Sequence, residues 1–331
     1  MSLQKSATTT VSPTEPFELE SGLSLIPRLK LNLTIHRADK SVSPIDEWKL
    51  KRSLVDYLQK SHSISIPEDD IKIHKYKDLN KRKREEPVAR GTLFVMDLDF
   101  LSKRVLAYRD EGGVEALFLE WRKQIVSEMD GMELNLEGVR FKLSVVLPMS
   151  DDAEGMRKAW EEIAAFGNKG YSRGERQQPD TIIIKGVPSR WFAEPRVSSK
   201  PSMLVSHAIF SALGNIRNLD VAEDNDTGDD EDEDLVSGLN CKIVVRFKTY
   251  TDFYNALKVL CGRSLIKQGS RLRADYEVTW DNDGFFQNSR GQVEDRKRWT
   301  PATETGNYRR EASGRVSQFN SDDGRRKRFK D

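Results

Sequence analysis

Twice along this chain the hydrophobic period switches in the same order: two residues, then about 3.6, then two and two again, then 3.6 and two. An alternating run marks a strand with one buried face, and a 3.6-residue run marks an amphipathic helix, so each set reads β-α-β-β-α-β. A four-stranded antiparallel sheet with both helices on one side is the economical way to bury such faces. The pattern predicts an α+β protein made of two domains with one architecture.

In the first set, Leu29–His36 alternates without a break and places Leu29, Leu31, Leu33 and Ile35 on one buried face. Ser43-Pro44-Ile45-Asp46 orders an N-cap hydroxyl, a first-turn proline and an acidic residue, and Leu50, Leu54, Tyr57 and Leu58 follow at helical spacing. Ile71–Tyr76, Gly91–Leu98 and Val139–Leu147 read as strands, and Val114–Met129 as a helix presenting Leu117, Trp121, Ile125 and Met129. Asp151–Phe166, with Met156, Trp160, Ile163 and Ala164 at helical spacing, reads as a connecting helix before a polar, glycine-rich linker. The second set comprises strand Thr181–Val187, helix Ser202–Leu213, strands Ile216–Val221 and Lys242–Phe247, helix Asp252–Leu260 and strand Leu272–Val278.

The resulting division is a disordered Ser/Thr/Pro-rich leader at 1–22, a first domain at 23–149, a connecting helix and linker at 150–178, a second domain at 179–281, and a basic disordered tail at 282–331. The net charge is only +1, but the signs are segregated. An acidic run at 223–235 fills a loop of the second domain, and it can repel RNA, dock a basic partner, compete with RNA for lysine and arginine, or simply stay solvated. Two cysteines, Cys241 and Cys261, and no signal-peptide pattern fit a reducing compartment. No apolar run approaches the roughly 18 residues that cross a bilayer, so a soluble protein is expected.

The second set resembles the RNA-recognition motif, a ferredoxin-like βαββαβ fold whose two signature strands carry outward aromatics that stack on bases. Ile182–Val187 occupies the first signature and Asn240–Phe247 the second. Strand parity turns Ile182, Ile184, Ile243, Val245 and Phe247 toward the helices and leaves Ile183, Lys185, Lys242, Val244 and Arg246 on the open face. In the last strand Leu272, Ala274 and Tyr276 are expected inward, with Arg271 and Arg273 outward. No residue at a stacking position is aromatic, so about 1–3 kcal/mol per stacked base is absent there. The open face reads either as a phosphate-binding cluster of Lys185, Lys242, Arg246, Arg271 and Arg273 beside Ile183 and Val244, or as a solvated sheet face.

Trp191-Phe192, in the turn after the first strand of this set, either closes the core or presents a partner-binding knob. Arg263-Ser264-Leu265 lies where protein-binding relatives of the fold place an Arg-x-Phe grip, so Arg263 is a partner-binding candidate, with an ordinary turn as the alternative. The basic runs Lys81-Arg82-Lys83-Arg84 and Arg325-Arg326-Lys327-Arg328 fit nuclear-import signals. The tail interleaves Phe285, Phe286, Trp299, Tyr308, Phe319 and Phe329 with arginines, a mixture that can stack on bases and hold phosphates, or serve only to solubilise.

Pro179–Ala193 (PDTIIIKGVPSRWFA), preceded by Gly174-Glu175-Arg176 and followed by Leu213–Asp220 (LGNIRNLD), resembles the A-kinase anchor protein 17A-like family of spliceosome-associated arginine/serine-rich factors. The first domain, from its Ser43…Trp48 helix start, is similar to that family's amino-terminal region, and the likeness spans about residues 23–281. The resemblance implies a nuclear, speckle-associated role in splicing, with pre-mRNA and splicing-factor proteins as partners. No residue here matches the family's kinase-anchoring helices, so kinase anchoring is not carried over.

Catalysis is not expected, and neither is a cofactor or metal. His36, His62, His74 and His207 are scattered without ligand spacing, and the two cysteines form neither a zinc nor a redox motif. Glycine-rich phosphate loops and nucleophile elbows are absent from the sequence.

Overall fold

The computed structural model describes residues 12–38, 45–77, 86–101, 113–166, 178–197, 199–223, 239–270, 272–282 and 284–286. Its first elements are ones that local periodicity did not announce: strand β1 (Phe17–Glu18), a 3-10 turn at Glu20–Gly22, and strand β2 (Leu23–Pro27). Residues 12–22 are therefore built into the fold, against the expectation of a disordered leader, while 1–11 lie outside the described residues.

Strand β3 (Leu29–Arg37) follows, with Leu29, Leu31, Leu33 and Ile35 buried as its alternation predicts. Helix α1 (Glu47–His62) buries Leu50, Leu54 and Leu58. Its cap is Asp46 and not Ser43, because the Asp46 carboxylate accepts from the backbone N–H groups of Trp48 and Lys49 and so satisfies two donors of the open helix end. Strands β4 (Ile71–Lys75) and β5 (Ala89–Val95), then helix α2 (Gly113–Met129), complete the expected order. On α2 the buried stripe is Phe118, Trp121, Ile125 and Met129, so Phe118 takes the place expected of Leu117.

A strand missed in the sequence, β6 (Glu133–Leu136), then pairs with β7 (Val139–Val146) through the two-residue turn Glu137-Gly138. Both turn residues have positive φ, 52° and 90°, as the tight hairpin turn that matches strand twist requires. A side-chain bond from the Gly138 N–H to the Asn135 carboxamide oxygen, 2.8 Å, supports the bend. The first sheet is thus five-stranded and antiparallel, in the order β4-β5-β3-β7-β6. Helices α1 and α2 share one hydrophobic core with one face of it.

Helix α3 (Ala153–Phe166) is no mere connector. Met156 and Trp160 are buried in the core of the second half, although Ile163 is 50% exposed. That half runs β8 (Thr181–Pro188), α4 (Met203–Ser211), β9 (Ile216–Glu223), β10 (Asn240–Phe247) and α5 (Tyr250–Leu260). Ser202 and Thr249 cap α4 and α5 through their hydroxyls. Strands β11 (Arg263–Lys267), β12 (Arg273–Ala274) and β13 (Glu277–Trp280) end it. The second sheet is antiparallel in the order β13-β8-β10-β9. Ile182, Ile184, Ile243, Val245 and Phe247 lie in one core with both helices, as parity predicts. Ala274 and Tyr276 are buried too, but Leu272 is 70% exposed because it precedes β12 and pairs with nothing in the sheet.

A third sheet, β1-β2-β11-β12, joins the chain's beginning to its second half. Leu25 pairs with Leu265, and Leu23 with Lys267. Leu23 and Leu25 belong to the second core, so the segment placed at the start of the first domain by sequence is structurally part of the other half. Both halves lie within the unit Met1–Asp283; in the separate unit Gly284–Asp331 the described residues include Phe285 and Phe286, whose rings meet edge to face. Among the described residues no helix is long and apolar enough to cross a membrane.

Candidate nucleic-acid interface

The outer face of the second sheet carries the residues singled out by parity. Pairing register also brings carboxylates to that face. Lys185 stands opposite Glu277, and Val244 lies between Ile183 and Asp220. Arg246 donates to Asp180 at 2.7 Å, with its side chain only 17% exposed. Lys242 is opposite Ala222, and Asn218 and Thr279 fill neighbouring positions. The three cations on these strands therefore share the face with Asp220 and Glu277, and with Asp180 at its margin. This balance weakens any phosphate-attracting field.

Two of the expected contact residues are corrected by the structure. Val244 is 1% exposed and offers no surface to a ligand. Arg273 is not on this face: β12 belongs to the third sheet, where Arg273 donates to Asp70 of the first half at 3.0 Å and stands 5.1 Å from the Phe94 ring centroid. Ile183, Lys185 and Lys242 are half-buried, and Arg271 lies outside the described residues. The outward positions of these strands bear no aromatic side chain among the described residues, because Phe247 and Trp280 turn to the core, so base stacking has no platform there.

Arg273 borders a buried polar node between the halves. Arg28, 1% exposed, donates through Nε to the Ser264 hydroxyl at 2.7 Å and through Nη1 to Asp151, and its Nε lies 3.3 Å from Asp275. Its guanidinium also faces Phe94, 5.4 Å from the ring centroid. Burial raises the Asp151 carboxyl above its ordinary range, and the Arg28 charge opposes that rise. Burial likewise pushes up the Cys261 thiol and the Tyr276 phenol, whose hydroxyl donates to the Leu260 carbonyl at 2.9 Å.

The partner-binding candidates serve the fold. Phe192 is 1% exposed and stacks on Phe210 with centroids 5.9 Å apart, while Trp191 is half-buried against the same core. Arg263 is 2% exposed. It donates to the Val259 carbonyl at the end of α5, 2.7 Å, and to the carbonyls of Ser12 and Glu15, 2.7 and 3.4 Å. The expected grip on a partner is thus a grip on this chain's own N-terminal segment, and burial lowers the Arg263 pKa. Lys81, Arg82, Lys83 and Arg84, the run Arg325–Arg328, and the acidic residues 224–235 lie outside the described residues.

Residues 114–317, well over half of the chain, match the family model described as "AKAP-17A-like, RNA-binding domain". The chain belongs to this A-kinase anchor protein 17A-like family. Human A-kinase anchor protein 17A is 27% identical over 193 residues, which is 55% of this chain and 28% of that relative's length. Among solved structures, Cas6 in a substrate-mimic complex aligns at 9% identity and TM-score 0.25, covering 79% of this chain and all of Cas6. A Cas6 point mutant aligns at 10% identity and TM-score 0.25, covering 77% of this chain and 100% of that one. At such scores the likeness carries no argument.

The functional features that sequence reasoning missed in this family member are the carboxylates. Asp220 and Glu277 were legible as strand residues, but their face depends on register with β10 and β8, which no local period encodes.

Proposed function

We propose that this chain is a non-enzymatic, nuclear RNA-binding protein that acts in pre-mRNA splicing or mRNA processing, built on two halves of the RNA-recognition-motif type. The observation that carries the reading is the match of residues 114–317 to an RNA-binding domain family. The topology supports it: numbering the four core strands of each half in chain order, both sheets run fourth-first-third-second, β7-β3-β5-β4 and β13-β8-β10-β9. The two basic runs support nuclear action, and the splicing role, speckle location and splicing-factor partners rest on the resemblance carried by Pro179–Ala193 and Leu213–Asp220. Kinase anchoring is no part of the proposal.

Ultraviolet crosslinking of the intact protein in nuclei, followed by stringent purification and identification of RNA and protein neighbours, tests the reading. Enrichment of intron-containing transcripts and splicing factors is expected. Recovery of protein neighbours without crosslinked RNA would overturn it. That outcome would favour a second reading, a protein-interaction scaffold, which is supported by the charge-balanced outer face and buried Val244 of the second sheet.

A further inference from the structure

The outer face of the first sheet differs in charge from that of the second. With Leu31, Leu33 and Ile35 turned to the helices, pairing places Lys30, Asn32, Thr34 and His36 of β3 outward. Lys72 and His74 of β4, Arg90, Thr92 and Phe94 of β5, Arg140, Lys142, Ser144 and Val146 of β7, and Glu133 and Asn135 of β6 share that side. Five Lys/Arg and two His thus face one carboxylate, Glu133, among the described strand residues. Lys72, Arg90, Arg140 and Lys142 are all exposed.

The register arranges these cations as a band. Lys72 and His74 stand on β4, Arg90 sits opposite both His74 and Thr34, His36 is opposite Lys142, and Arg140 is two residues before it on β7. The band crosses three interstrand spacings, roughly 15 Å. Asn32, Thr34, Thr92, Asn135 and Ser144 intersperse neutral hydrogen-bonding groups. Such a mixture meets phosphate and sugar oxygens.

Tyr76, just past β4, is half-buried with the Arg90 guanidinium 5.2 Å from its ring centroid, and among the described residues the strands of the face offer no open stacking platform. The face's single Phe, Tyr or Trp on a described strand, Phe94, is 2% exposed, with the cations of Arg28, Lys72 and Arg273 at 5.4, 5.8 and 5.1 Å from its centroid. Two of those three come from outside the sheet, so the junction between the halves closes over the ring. The neighbouring Asp130 adds a second carboxylate at the β7 margin of the band: it accepts from the Val145 N–H and Ser144 Oγ, both at 3.0 Å, and these bonds, with the Lys142 charge, hold its carboxyl below the ordinary range.

We propose that this face, centred on Lys72, Arg90, Arg140 and Lys142, is the RNA track of the protein, holding a single strand through its phosphates with little base preference. The proposal rests on the RNA-binding reading above and assigns the contact to a surface that straddles the start of the family-matched residues, with Lys72 and Arg90 before them and Arg140 and Lys142 within them. With four phosphates neutralised, log K falls with log salt at a slope of about −3, so affinity drops roughly 50-fold between about 50 and 200 mM salt.

The test uses the full chain and a labelled mixed-sequence single-stranded RNA, titrated across that salt range. Three proteins are compared: wild type, Lys72→Glu/Arg90→Glu/Lys142→Glu, and Lys185→Glu/Lys242→Glu on the second sheet. The first variant is expected to lose at least about tenfold in affinity and most of the salt slope, the second to stay near wild type. Should the triple variant unfold by circular dichroism, Lys142→Gln alone serves, with a slope about 0.7 shallower. If wild type binds no RNA, the RNA-binding reading itself fails. If wild type binds and the first-sheet variants bind equally well, the reading stands and this inference is overturned, as it is if the second-sheet variant carries the loss.

Discussion

Arg28 and Asp151, 123 residues apart, form a buried ion pair where the two halves meet, with their side chains 0% and 5% exposed. Removing one member of such a pair leaves the other charged and without its partner in a low-dielectric site. Arg28→Met is therefore expected to cost about 3–5 kcal/mol in urea unfolding at neutral pH. A cost within experimental error of zero would show that the node holds nothing together.

The N-terminal strap makes a separate claim. Leu25 is 1% exposed in the core of the second half and pairs with Leu265. Leu25→Ala is expected to destabilise by about 2–5 kcal/mol, the usual range for emptying a buried leucine site. In hydrogen exchange the loss should appear in β11 and α5; confinement to the first sheet would refute the assignment of the strap.

Much of this fold was legible because its elements carry their own period. The alternation of Leu29, Leu31, Leu33 and Ile35 and the inward set Ile182, Ile184, Val245 and Phe247 each lie at 2% exposure or less. What stayed hidden depends on pairing over long separation. Strand β2 finds its partner at Arg263–Lys267, and nothing within Leu23–Pro27 distinguishes that pairing from a continuation of β3. The β6–β7 hairpin turns at Glu137-Gly138, where the first residue is not one of the Asn or Asp types that advertise a positive-φ turn. The parity that sorted Lys185, Lys242 and Arg246 was sound, yet parity along one strand says nothing of the carboxylate on the next. For the same reason the first sheet's basic band emerges only from the register of four strands.

Trp160 tests whether α3 is a structural helix of the second half. Its ring meets Phe253, Tyr254 and Trp280 edge to face at 5.6, 6.3 and 5.7 Å. Trp160→Ala is expected to cost about 3–5 kcal/mol and to diminish the near-ultraviolet dichroism of the whole aromatic group. Loss of only one residue's share of that signal would mean that α3 packs loosely.

Acid should weaken the same contact. The Tyr254 hydroxyl donates to Glu154, and that bond, ahead of the nearby Arg157, holds the Glu154 carboxyl below its ordinary 4.5. A folded-state pKa below the unfolded value means stability present above about pH 4.5 and lost as pH falls through the lower folded value. The melting-temperature gap between wild type and Glu154→Gln should therefore be open at neutral pH and close in acid. A gap that persists undiminished in acid would show that the charge contributes nothing.

The position of RNA on the molecule is the central claim, and crosslink mapping reads it directly. The full chain bound to single-stranded RNA carrying photoreactive uridines would be irradiated, digested and analysed by mass spectrometry for nucleotide-bearing peptides. The account predicts crosslinks in peptides spanning Ile71–Lys75, Ala89–Val95 and Val139–Val146, the strands that carry Lys72, Arg90, Arg140 and Lys142. Crosslinks found only in Thr181–Pro188 and Asn240–Phe247, or only beyond Gly284, would contradict it.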